Sequence, residues 1–241
     1  MFELYKTWAR LGVAFNVKPT SDSVIDIEDV LIRTAHEGRD DSRLLFGMRG
    51  WLIKHHELVN SARLISKIKC LTETAVLGAI IDSVVEIHPR SNLKYIVKYC
   101  HPLSQPDFVF RSVKNSNILS QLNLQENLSL WKKWNLISRE MEYNKEAIYE
   151  KKHVFKHNPW LILRALFGAG LKAEVLTYFF HHKKGNARQI AQTTQLSYEP
   201  VYSELRLLNK IGLVKEKKRG RARVFSFCPS FFKETISLFA V

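Results

Sequence analysis

Apolar residues recur at helical spacing through most of the first 150 positions. Val24, Ile27, Val30 and Leu31 share one face of a helix, with a cap at 21–23 and Gly38 as its stop. Asp40 or Asp41 caps a second helix, in which Leu44, Leu45, Met48, Trp51 and Leu52 recur at i, i+1, i+4, i+7 and i+8. Leu58, Ala62 and Ile65 continue that spacing. Leu77, Ile80, Ile81, Val84 and Val85 mark a buried helix that ends before His88-Pro89, and a shorter one is expected over 93–99. Pro102 and Pro106 argue for irregular chain between Cys100 and Asp107. The Asn/Gln-rich stretch 115–127 has enough leucine for weak helices, and Tyr143-Asn144-Lys145 either turns a hairpin or continues a helix. A domain boundary is placed at His157-Asn158-Pro159.

The pattern changes after that point. Ala187, Ile190, Ala191 and Leu196 have the spacing of a short helix and turn. Ser197 caps the next helix, and Pro200 is tolerated in its first turn. Val201, Leu205 and Leu208 form its core stripe, and Gly212 ends it. The other side displays Glu199, Tyr202, Ser203, Arg206 and Lys210. Two alternating strands, 213–217 and 222–227, flank a basic tip, Lys218-Arg219-Gly220-Arg221, where glycine allows the chain to reverse.

Composition narrows the function classes. With 46% hydrophobic residues both halves can build a core. The best apolar run, 75–87, is interrupted by Asp82 and Glu86, so no membrane association is expected. No secretion signal is read at the N-terminus, and three scattered cysteines suggest no disulfide framework, so a reducing cytoplasm is expected. The net charge of +14 is unevenly spread: residues 151–241 hold 17 Lys and Arg against 5 Asp and Glu, while residues 1–150 hold 20 against 18. Such asymmetry suggests that the C-terminal module faces a polyanion.

The segment LSYEPVYSELRLLNKIGLV followed by KEKKRGRARVF resembles the recognition helix and wing of ArsR-type and related MarR-like regulators. The resemblance covers about a third of the chain. It implies a winged helix-turn-helix at 158–241 with a small β-hairpin wing; joined to the helical periodicity of 1–157, this predicts a mostly α protein with a helical domain ahead of the winged helix. It further implies base or backbone contacts from Tyr198, Glu199, Tyr202, Ser203 and Arg206 and wing contacts from Arg219 and Arg221; Ser197, Lys210 and Lys218 complete the DNA-facing set. Glu199 departs from a uniformly cationic face; it suits cytosine N4 and not phosphate. The implied partners are double-stranded DNA and a second copy of the chain, with 160–167 and 231–239 as dimer helices. A small-molecule effector is left open, and the N-terminal domain is assigned regulation or dimerisation.

Other chemistry finds little support. The helix at 187–194 lacks the cysteine pair of metal-sensing relatives, and Cys100-His101 and His153-x3-His157 supply too few ligands, so no cofactor is expected. Asp22, Asp26, Glu28 and Asp29 suit the exposed face and first turn of a helix. Arg39-Asp40-Asp41-x-Arg43 has the look of a capping and ion-pair patch. No P-loop, dinucleotide fingerprint or nucleophile elbow occurs, so no enzyme is expected. The expected function is sequence-specific DNA binding in transcriptional regulation. The alternatives are a protein-docking assembly subunit and an RNA-binding factor, the latter weakened by the lack of aromatics on a sheet face.

Overall fold

The first four N–H groups of a helix have no partner within it, and short polar side chains supply one. In the computed structural model of the chain, α1 (Phe2–Arg10) comes first. Asp26, Asp41 and Asn60 then accept backbone N–H bonds at the starts of α2 (Ile27–Glu37), α3 (Ser42–His55) and α4 (Ser61–Ile68). Next come α5 (Ala75–Ile87), α6 (Leu93–Val97), strand β1 (Asp107–Phe108), α7 (Ser129–Lys133), its parallel neighbour β2 (Leu136–Ile137) and α8 (Lys151–His157). The rest is α9 (Leu161–Phe167), α10 (Leu171–His181), β3 (Lys184–Asn186), α11 (Ala187–Thr194), α12 (Tyr198–Lys210), β4 (Val214–Arg219) and β5 (Ala222–Phe227).

The residues described are 1–19, 24–111, 129–138, 143–219 and 222–228, with backbone alone for 129, 130, 219 and 222. The fold is mostly helical, with small β-sheets. It divides into two compact units, Met1–Leu161 and Ile162–Val241.

In the first unit the stripe of α3 lies inward as its spacing requires: Leu44, Leu45, Met48, Trp51 and Leu52 have no accessible surface. Trp51 packs edge-on against Trp8 at 5.8 Å. Both indoles keep a partner in the core, Trp51 Nε1 donating to Leu11 O at 2.9 Å and Trp8 Nε1 to Thr34 Oγ1 at 2.8 Å. Buried Asn158 donates to Arg10 O and Val154 O, both at 2.9 Å, and Arg10 Nε donates to His157 O at 3.1 Å. These bonds hold residues 158–161 on the core of the first unit.

Several sequence expectations need correction. α2 starts on Asp26, not at 21–23, and Val24 is exposed ahead of it; residues 20–23 lie outside the described residues. The spacing through Leu58, Ala62 and Ile65 does not continue one helix. A 3₁₀ turn at His56–Leu58 ends it, and Asn60 restarts α4 in a new phase that buries Leu64 and Ile68 and exposes Ala62. Glu28 is fully buried and accepts the Asn60 N–H at 2.8 Å, so it is not on a solvated face. Its neighbours Asp26 and Asp29 pair with Arg63 and Lys67 of α4. The patch Arg39-Asp40-Asp41-x-Arg43 caps and pairs as expected: Asp41 caps α3 and pairs with Arg43, and Asp40 pairs with Arg111. Arg39, turned inward, pairs with Glu73 and Asp107 and donates to Val109 O at 3.1 Å and Phe108 O at 2.8 Å. Asn144 begins a 3₁₀ turn, Lys145–Ala147, in place of a hairpin or a continuous helix. Of the stretch 115–127 nothing lies within the described residues.

Gly78 of α5 tests the packing of this unit. A Cβ there would stand 2.5 Å from the Trp134 ring and 2.7 Å from Cys100 Cβ. Trp134 is held by donation of its Nε1–H to Asp82 at 3.1 Å. Gly78→Ala gains about 1 kcal/mol of helix propensity, but crowding a well-packed core costs about 1–3 kcal/mol or more. A net loss is expected, read as a lower urea midpoint by tryptophan fluorescence. All 5 tryptophans lie in the first unit, so the signal reports on it alone. An unchanged or raised midpoint would show that Trp134 yields.

Candidate nucleic-acid interface

The surface of interest rests on how α11 and α12 start and stop. Asn186 and Gln189 form a reciprocal capping box, the Asn186 side chain accepting from Gln189 N at 2.9 Å and the Gln189 side chain from Asn186 N at 3.0 Å. α11 ends with Gln195 in the left-handed region, φ 57°, where glycine is the usual residue. The chain then reverses through Leu196 and Ser197 into α12. Ser197 occupies the N-cap position, but among the described residues its side chain makes no cap bond. α12 closes on Gly212 at φ 84°, with Leu213 N–H donating to Leu208 O at 3.0 Å and Gly212 N–H to Asn209 O at 3.1 Å. Asn209 Oδ1 accepts from Glu216 N at 3.0 Å and ties the end of α12 to β4.

Val201, Leu205 and Leu208 of α12 have no accessible surface, nor do Ile190, Val214, Val175 and Phe225 of the same core. β4 and β5 form an antiparallel hairpin, and β3 pairs with the other edge of β5, giving the order β3-β5-β4. The third strand was not foreseen. It fits because Gly185 passes against the ring of Tyr178, where a Cβ would collide. Burial raises the Tyr178 phenol above its ordinary pKa, so it stays a neutral donor, bonded to Lys184 O at 3.3 Å. Arg164 and Glu174, both buried, form an ion pair at 2.7 Å in this unit.

With α12 anchored by that stripe, about 100° of rotation per residue places Glu199, Ser203, Arg206 and Lys210 on the far side. All four are exposed. Tyr198 is 47% exposed and stacks in parallel on Tyr202, centroids 5.9 Å apart. Tyr202 departs from the fully exposed set. It is half-buried and meets the edge of Phe225 at 6.4 Å, because it lies only one residue round from Val201. Ser197 and Lys218 are exposed. Gly220 and Arg221 lie outside the described residues, and of Arg219 only the backbone is described. Lys215 and Lys217 add exposed cations on β4, while Arg223 pairs with Glu216 at 2.9 Å.

Sequence reasoning missed Arg188 and Gln192. They line a surface cleft with Gln195, Leu196 and Tyr198, where α11 meets the start of α12. Both positions lie about 160° round the helix from Ile190, so their exposure was legible in the sequence, while the cleft they line was not. His153 and His157 stand 4.7 Å apart on α8, but among the described residues no group of three ligands suits a metal. Among them, too, no helix is long and apolar enough to cross a membrane. No family model, curated protein or solved structure matches the chain.

The two tyrosines separate surface from core. Tyr202→Ala is expected to destabilise the second unit by about 1–2 kcal/mol, less than the 3–5 kcal/mol of a fully buried aromatic. Tyr198→Ala should stay within about 0.5 kcal/mol of the parent. Amide hydrogen exchange across α11, α12 and β5 reads both, and equal protection in the two variants would place Tyr202 outside the core.

Proposed function

We propose that the second unit is a winged helix-turn-helix that binds double-stranded DNA, with α12 in the major groove and the β4–β5 hairpin as its wing. The observation that carries this reading is the exposed row Glu199, Ser203, Arg206 and Lys210, standing opposite a fully buried stripe. The order helix, strand, helix, helix, hairpin and the sheet order β3-β5-β4 support it. So does the charge, 17 basic against 5 acidic residues over 151–241. A groove-bound helix presents polar side chains to base edges, and cations beside it meet phosphates. In this reading Lys215, Lys217 and Lys218, with Arg188, position the protein, while α12 reads sequence. The role is transcriptional regulation of the ArsR or MarR kind, with the first unit regulating or dimerising.

A homodimer fits the same reading, since one groove-bound helix covers few base pairs and pairing doubles the site. The exposed side of α9 supplies an apolar contact face: Leu166 is 70% exposed, with Ile162 and Phe167 beside it also open. The other proposed dimer segment, 231–239, lies outside the described residues. One observation favours docking on a protein instead. Leu207 and Ile211, each 46% exposed, form an apolar flank along α12.

Two measurements test these readings. The intact chain should bind duplex DNA at low salt, with log K falling linearly in log salt; removing Lys217 or Lys218 as alanine should lower the slope by about 1 each at similar cost for all sequences. A folded chain that binds no duplex at low salt leaves docking through Leu207 and Ile211 as the better account. By sedimentation the parent should be dimeric at micromolar concentration, and Leu166→Asp should shift it to monomer. A monomeric parent, free and DNA-bound, would remove the dimer.

A further inference from the structure

Resting on the DNA-binding reading, we infer that Glu199 and Arg206 set the base preference of this surface: Glu199 selects a cytosine, and Arg206 selects a guanine two base pairs away. The two residues are seven apart on one helix, about 10.5 Å along the axis and about 20° from the same line. Ser203 lies between them on that line. Side chains one turn apart on a groove-bound helix meet successive base pairs, so the three address three consecutive pairs.

Their chemistry fixes what each end accepts. A carboxylate only accepts hydrogen bonds, and in the major groove cytosine offers the N4 donor with no acceptor of its own. Adenine N6 is flanked by the N7 acceptor, which repels a carboxylate. Arg206 donates two parallel bonds, matching guanine O6 and N7. A serine hydroxyl donates or accepts, so the middle pair is left unselected.

Glu199 is the informative residue because it is anomalous. In the basic C-terminal part Glu174 pairs with Arg164 and Glu216 with Arg223. Glu204 is half-buried, and Glu234 lies outside the described residues. Among the described residues Glu199 is the acid of this unit that stands exposed without an ion pair. Arg206 likewise has no protein partner there. A carboxylate on such a face is repelled by phosphate and tolerated only where it meets a donor. Its position in the first turn of α12 also suits the helix dipole, a role that affects stability and not base choice.

The test is selection of duplexes from a random pool by the intact chain and by Glu199→Gln and Arg206→Gln. The parent should recover a C·G pair and a G·C pair with one unselected pair between them, each preferred over other bases by roughly 5- to 150-fold. Glutamine pairs with adenine N6 and N7, so Glu199→Gln should turn the cytosine position to adenine and leave the guanine, and Arg206→Gln should do the reverse. Circular dichroism establishes that both variants fold. Duplex binding with the same base preference in parent and variants overturns the inference and leaves the DNA reading intact. A change in one variant alone overturns the assignment of the other residue. A folded parent that recovers no duplex removes the DNA reading and the inference together.

Discussion

Phe225 has no accessible surface and closes a core whose other wall is Val201, Leu205 and Leu208. Burying a side chain of this size contributes about 1.5–3 kcal/mol, so the four together rival the net stability of a small domain. That constraint fixes more than stability. It sets the rotation of α12 about its axis, and hence which residues stand clear of the protein. It also sets the register of the sheet, since Phe225 faces Gly185 on one neighbour and Glu216 on the other. Sliding β5 by one residue would put Phe225 in solvent and bring Val224 or Ser226 inward. The exposed row on α12 and the cations on β4 therefore keep a defined relation to each other without touching.

Both units cap helices with side chains and turn charged groups inward, in different proportions. In the second, helix ends are fixed by a capping box before α11, Gln195 in a left-handed turn after it, and Gly212 after α12, beside the buried ion pair of Arg164 and Glu174. In the first, charged side chains turn inward. Arg39 spans from the 3₁₀ turn Gly38–Asp40 to β1, and Glu28 and Asp26 bind α2 to the start of α4. Each such group would be costly if left unpaired, so these contacts are demanding of geometry. Nearly equal numbers of acids and bases over residues 1–150, 18 against 20, are consistent with charges occupied by one another. Over 151–241 the 17 bases outnumber the 5 acids, so most of those cations have no carboxylate of their own part to pair with.

Legibility in the sequence followed the strength of the local signal. The stripe of α3 and the pattern of α12 were plain because burial on one face imposes a 3.6-residue period, whereas α5, buried all round from Ala75 to Val84, stood out as a nearly continuous apolar run. The hairpin was plain because two alternating segments stand either side of a glycine in the sequence, and β4 and β5 pair antiparallel. β3 was invisible: Lys184, Gly185 and Asn186 have low strand propensity, and they pair with β5 only because Gly185 can approach Tyr178. The phase break before α4 was hidden because Leu58, Ala62 and Ile65 happen to keep helical spacing across a cap. Tyr202 was misjudged because a stripe drawn through three residues says nothing about its own margins. Half of an aromatic ring can reach the core from 100° away, and here it finds Phe225. Of the site itself, the α12 row was readable, but Arg188 and Gln192 belong to a cleft that exists only once α11 and α12 are packed.

The exposed carboxylate on α12 bears on how such a surface discriminates. At a helix N-terminus a carboxylate is favoured by about 0.3–1 kcal/mol. Against phosphates within the ~8 Å screening length it is repelled instead. Glu199 therefore adds a little to the stability of the free protein and, on the DNA-binding proposal, would weaken attraction to a duplex of any sequence. A cation there, such as those at Lys215 and Lys217, would raise affinity for every duplex alike, and the ratio between sites would not improve. A carboxylate lowers the background, and a single base donor can offset its desolvation. On the same proposal, with so large a basic excess, discrimination would gain more from the residue that opposes the general attraction than from another that strengthens it.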